Sequence, residues 1–336
     1  MNEQVRLSLT AAYTDGHAPA AQRRAGHVTE PAPTYHGLPA IRRPQWGWHI
    51  PAYFFVGGAG SGAYIVATIA DIGGRAADRP LVTGGRAVAL AAMLVSPVLL
   101  VLDLGRPGRW INMLRVFRPR SMMNQGSFAL LALGAFSGLG AVVEVAQRFA
   151  QRRALARWTA RLGRPVSWLG ALPAVVVAGY TAVLLAATNV PLWTRSRLLL
   201  GPLFLASAMS TGLAATRLAA EAAGGIAART ETRVKRAETL MTGAELALTA
   251  ASVARLGRDA RPLLAGGLGV LFHTGSVGLG MLAPLALARA GGRRSTLLAA
   301  ALTLAGGGLL RYAVVVAGQR SADDPRAYFR ATRARP

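Results

Sequence analysis

The segment Asp103-Leu104-Gly105-Arg106-Pro107 ends a long apolar run, and Arg109, Arg115, Arg118 and Arg120 follow within a few turns. Charges of both signs at a hydrocarbon boundary are costly to place without a role. Gly105 and Pro107 stop the preceding helix, and residues 110–117 read as a short amphipathic helix lying in the interface. Other polar groups share this boundary. Trp46, Trp48 and His49 stand at the mouth of the first apolar run, with Tyr53 one turn on. Asn124 and Gln125 follow the arginine stretch, and Thr188, Asn189 and Trp193 close the fourth run. His49 is a donor and acceptor that titrates near neutral pH, so His49 and Asp103 are read as the groups that do proton chemistry. Trp48, Tyr53, Arg106, Asn124 and Asn189 would bind around them. Such a set can hydrogen-bond the carbonyls of a flat apolar ring and exchange its protons, which is the chemistry of a quinone headgroup. The competing reading is plain interfacial anchoring by the tryptophans, with the arginines snorkelling to lipid headgroups.

These residues must be held by membrane-crossing helices. The 336 residues are 52% hydrophobic and 15% charged, and the apolar residues come in runs of about 20, enough for a helix to cross ~30 Å of hydrocarbon. Spans are expected near 50–72, 86–104, 127–149, 167–188, 197–219, 234–254, 262–288 and 295–318. This predicts an all-α integral membrane protein of eight transmembrane helices in two four-helix bundles, with no strand in the membrane. The sixth span carries Glu238, Thr242, Glu245 and Thr249, so it can persist only if that stripe faces other helices. Gly58 with Gly62, and Gly134 with Gly138, are spaced for close helix approach. Residues 1–45 read as a polar, disordered arm, 46–320 as the membrane domain and 321–336 as a polar tail.

An even number of spans puts both ends of the membrane domain on one side, here side A, together with the 103–125, 189–196 and 255–261 loops. Arginine and lysine are divided almost equally between sides A and B, so the positive-inside rule does not orient the chain. A net charge of +24 sits largely between apolar runs. That pattern points to anionic lipid or an acidic partner subunit and away from nucleic acid.

The absence of cysteine excludes disulfides, thiolate metal sites and any iron–sulfur cluster held by this chain. No metal site is expected. Haem is disfavoured as well: His49 lies at the boundary while His273 lies ~16 Å deeper along its span, so one iron cannot take both. In the second half, Glu238, Glu245, His273 and Arg311 are ionisable at membrane depth. They suit either a proton or ion path, as in a secondary transporter, or a structural charge pair such as Glu245 with Arg311. Gly266-Gly267 and Gly306 to Gly308 could loosen their spans. Asp71, Glu144 and Glu221 fall near side-B helix ends, where water or arginines meet them.

The order Trp46-Gly47-Trp48-His49-Ile50-Pro51-Ala52-Tyr53-Phe54-Phe55, then Asp103 to Pro107 and Met113-Leu114-Arg115-Val116-Phe117, resembles the NrfD/PsrC family. These are membrane subunits of polysulfide reductase-like complexes. Residues 179–193 (Gly-Tyr-Thr-Ala-Val-Leu-Leu-Ala-Ala-Thr-Asn-Val-Pro-Leu-Trp) and 198–207 are similar to the same family's fourth and fifth spans. Where the family usually has Ser-Pro-Met and Gly-Ser-Trp, this chain has Ser121-Met122-Met123 and Gly126-Ser127-Phe128. The resemblance implies two four-helix bundles without haem and exchange of ubiquinone or menaquinone in a bacterial plasma membrane. It also implies a four-cluster ferredoxin-like iron–sulfur partner, often beside a molybdopterin catalytic subunit. It leaves the terminal substrate open. A membrane anchor with no quinone site of its own is the remaining alternative.

Overall fold

The computed structural model describes residues 41–148 and 153–333, with side chains over 41–147 and 163–329. The expected arm therefore lies outside the described residues up to position 40, and the expected tail does so from 334. The described chain is helical, with no strand. Eight long helices follow the eight predicted runs: α1 (His49–Gly73), α2 (Arg79–Leu102), α3 (Met122–Arg148), α4 (Arg153–Ala186), α5 (Arg197–Ala222), α6 (Ala228–Leu256), α7 (Gly266–Ala290) and α8 (Arg293–Ala322). Seven of them are long and apolar enough to cross a membrane, and α6 is the exception. Leu94, Leu131, Val142, Leu169 and Leu172 are exposed on outward faces of α2, α3 and α4, an apolar belt that lipid rather than water would solvate. The chain is a multi-pass membrane protein.

Although too polar to count by composition, α6 runs from one end of the molecule to the other. Near its start, Thr230 and Arg233 bond to Asp78 in the α1–α2 connection. Just past its end, Asp259 pairs with Arg195 beside the start of α5. Its polar residues are tolerated because they face inward: Thr242, Glu245, Thr249 and Ser252 are all buried, as a stripe spaced at alternating three and four residues must be.

Contacts close α1 to α4 into one ring and α5 to α8 into another, with α5 also touching α1, α2 and α4, and α8 touching α1. Small residues allow this. A Cβ on Gly62 would stand 1.9 Å from the Ala208 carbonyl oxygen, so α1 and α5 touch backbone to backbone there. Gly280 and Gly306 do the same for α7 and α8, and Gly306 thus tightens α8, which runs unbroken. By contrast, Gly138 has nothing within 4 Å, and Gly134 only just reaches Met93, so that pair marks no close crossing. Gly266 does interrupt its span: with φ +65 it starts α7 after the short helix Arg261–Leu264, and Leu271–Leu282 then winds as a π-helix. The C-terminal tail is helical over Pro325–Arg333.

Two buried arginines pin the side-B end. Arg86 of α2 donates to Asp71 of α1 (2.9 Å), Glu144 of α3 (3.1 Å) and Ser167 of α4 (2.8 Å), so one guanidinium ties four helices. Arg217 of α5 grips both carboxylate oxygens of Glu238 (2.7 and 2.9 Å) and one of Glu231 (2.6 Å). Glu221 meets Arg293. The three side-B acids of the sequence reading are therefore met by arginines.

Candidate functional site

The side-A mouth is assembled from the N-terminus of α1, the C-termini of α2 and α8, and the α4–α5 connection. Trp46 lies flat on Trp193, with ring centroids 5.3 Å apart and planes at 15°, and meets Phe54 edge-on. Trp193 is fully buried and donates its indole N–H to the Val314 carbonyl at 3.0 Å. Gln319 donates to the carbonyls of Pro44 (3.1 Å) and Trp46 (2.9 Å), fixing the entry strand against α8. Arg43 bonds Asp323 at 3.0 Å; partial burial raises the Asp323 carboxyl above its ordinary value, and Arg43 pulls it back. Trp46 is thus a packing element and not a lipid anchor.

That frame sets His49 at the first residue of α1 and Asp103 at the end of α2. The imidazole Nδ1 stands 4.0 Å from a carboxylate oxygen of Asp103, and the two side chains are 26% and 20% exposed. The Gly47 amide donates to the same oxygen at 3.3 Å. A Cβ at Gly47 would press within 3.3 Å of the imidazole, so glycine lets the entry strand pass over the pair. Trp48 covers the ring, with centroids 4.2 Å apart, and is itself 63% exposed. No hydrogen bond within the described residues engages the imidazole, so its nitrogens are free to meet a carbonyl.

The remaining predicted residues divide. Tyr53 is buried one turn deeper, its ring tilted against Phe54. Arg106 and Asn189 are exposed and uncommitted. Asn124 is fully occupied: its amide donates to the carbonyls of Met113 (2.9 Å) and Val116 (3.0 Å) and accepts from the Arg118 N–H (2.6 Å). It shapes the arginine ledge, and both of its amide protons are spent there. The ledge has a short helix, Ile111–Arg115, with no buried residue, and Arg106, Arg109, Arg115, Arg118 and Arg120 are exposed along it without an ion pair among the described residues.

In the second half, Glu238, Glu245 and His273 do not converge. Glu238 is held by Arg217, Glu245 is buried against Ser210, and His273 is exposed on the outer face of α7. Glu245 and Arg311 do not form the expected direct pair, since Arg311 bonds the Phe204 carbonyl and lies 4.0 Å over that ring. Among the described residues, no group of three or more His, Asp or Glu side chains could hold a metal ion. Sequence reasoning missed Gln319, Gly318 and the tryptophan stack. Only Trp46 and Trp193 gave any signal, as aromatics on the same side.

A helical, multi-pass membrane protein with a polar mouth at one end is the class that fold and site define. Residues 40–322 match the family model described as polysulphide reductase, NrfD. The chain belongs to the NrfD family, membrane subunits of respiratory oxidoreductases that work with iron–sulfur and catalytic subunits. No curated relative matches it.

Proposed function

We propose that the chain is the quinone-reactive membrane anchor of a respiratory oxidoreductase complex in a bacterial plasma membrane. It would exchange electrons with a separate iron–sulfur subunit docked at side A. The observation that carries this reading is the uncommitted imidazole of His49, set beside a carboxylate that only a backbone amide holds. The donor set fits a carbonyl-bearing ring: His49 would bond one oxygen, Trp48 would cover the ring face, and the apolar flank by Tyr53 would take its deeper edge. Arg106 and Asn189 supply further donors at the rim. A bound ubiquinone or menaquinone supplies paired electron and proton transfer. The chain's part is to hold a proton at a His49 ring nitrogen, beside the Asp103 carboxylate 4.0 Å away.

The unpaired ledge arginines suit an acidic surface on a four-cluster ferredoxin-like subunit, beyond which a molybdopterin catalytic subunit would sit. Binding of a menaquinone analogue and quinone-dependent turnover of the assembled complex test the site. Both should fall in Asp103→Asn. His49→Gln should retain binding and lose turnover, since it keeps a hydrogen bond but cannot pass a proton. Unchanged binding and turnover in both variants would remove the pocket from this mouth. Intact complexes that never turn over quinone would favour a bare anchor.

A further inference from the structure

A narrow cleft of about 30 Å³, enough for water, runs between α5, α6, α7 and α8 from the side-B end. Its outer part shares Lys235 and Thr296 with a wider vestibule bordered by Glu221 and Arg293. Its walls carry Glu238, Thr242 and Thr303, and it reaches Ser210. The Ser210 hydroxyl donates to a carboxylate oxygen of Glu245, which is 2% exposed and makes no ion pair. Glu245 lies two turns beyond Glu238 on one face of α6, so the cleft descends along that stripe.

Arg311 supplies the cationic field at Glu245 from α8. It too is 2% exposed, and its Nε and Nη1 have no partner. Buried donors left unmade are expensive, and a site with several convergent polar groups is where protein interiors hold water. The groups facing this carboxyl are Ser207 and Ser210 from α5 and Arg311 from α8, with Arg217, Glu231, Lys235 and Glu238 along the approach. From α7 the cleft receives only Pro284, Leu285 and Ala288. Towards side A, Thr249 and Ser252 are buried and Leu256 joins the apolar core. Access is therefore one-sided.

We propose that Glu245 is a proton-binding site hydrated from side B alone. The Ser210 hydroxyl gives its proton to the carboxylate and takes one from a hydronium ion in the cleft, which is left as water, so that one proton moves inward from side B and no electron changes place. This site stands whether or not a quinone binds at His49.

The cysteine-free chain permits a direct test in the intact membrane complex. Single Thr242→Cys and Thr303→Cys variants should react with a membrane-impermeant thiol reagent in the vesicle orientation that labels Arg293→Cys, and not in the one that labels Arg118→Cys. Thr249→Cys, past the carboxyl, should stay unlabelled from both sides. Infrared difference spectra across a pH step should show a carboxyl C=O band that shifts in heavy water and vanishes in Glu245→Gln. Inert cysteines at both 242 and 303, or labelling from side A, would overturn the one-sided cleft. A carboxyl band unchanged in Glu245→Gln, or no such band in the unmodified chain, would overturn the proton site. The cysteine variants keep Glu245 intact, so the cleft is tested even if Glu245→Gln does not assemble.

Discussion

At side B, Arg217 is 1% exposed and bonds two carboxylates at 2.6–2.9 Å, while at side A the His49 imidazole stands 4.0 Å from Asp103 and bonds nothing within the described chain. The difference is one of saturation. A buried ion with each of its nitrogens bonded to a carboxylate fixes helix positions, because any shift would strand a charge in a medium that cannot solvate it. A half-exposed pair held apart contributes little to stability and leaves its hydrogen-bonding capacity for something outside the chain. The buried charge of Arg217 is structural, whereas the His49–Asp103 pair keeps its capacity available.

The hardest test of that contrast is to strip side B. Arg217→Met leaves Glu238 without its cation and Glu231 with Lys235 alone, and should cost about 3–5 kcal/mol. The loss would be read as a lower unfolding midpoint in detergent. Adding Glu231→Gln and Glu238→Gln should restore much of it, and a single variant as stable as the unmodified chain would break the comparison. A smaller loss is expected from the packing that shapes side A. A Cβ at Gly318 would lie 2.0 Å from the Trp193 ring, so Gly318→Ala should cost ~1–3 kcal/mol as an overpacking change. It should also alter tryptophan emission as the Trp46–Trp193 stack opens.

By the same measure, His49→Gln and Asp103→Asn should move stability by less than about 1 kcal/mol, because the pair stands 4.0 Å apart and shares no hydrogen bond. A large destabilisation in either would make the mouth a structural element like side B. Least of all should stability respond to Arg115→Glu with Arg118→Glu, since both side chains are exposed. That pair should instead strip an iron–sulfur subunit from the membrane at moderate salt. Retention with normal turnover would assign those arginines to lipid.

Much of the site could be read along the chain, and the parts that could not share a cause. His49 and Asp103 stood out because both fall at the ends of apolar runs on one side, and the fold brings them within 4.0 Å. Asn124 looked equally suited, yet its amide is spent on the backbone of the ledge. Residue type shows what a side chain can bond, and only its neighbours decide whether that capacity is already used. Arg86 and Arg217 fall at the side-B ends of the predicted spans 86–104 and 197–219, and only the fold shows that both are buried.

Run length and polarity determined the membrane class, the helix positions and the division of polar groups between two sides. A helix must span the hydrocarbon with about 20 apolar residues whatever surrounds it. The same reasoning left α6 undecided, because its own composition is too polar to cross. Packing settled its course: Ser210 of α5 meets Glu245, and Arg217 meets Glu238, so the polar stripe is satisfied by another helix. Saturation of donors, closeness of helices at Gly62 and Gly280, and the stacking of Trp46 on Trp193 were likewise decided only in the folded chain. Each depends on the distance between residues far apart in sequence, which no local pattern contains.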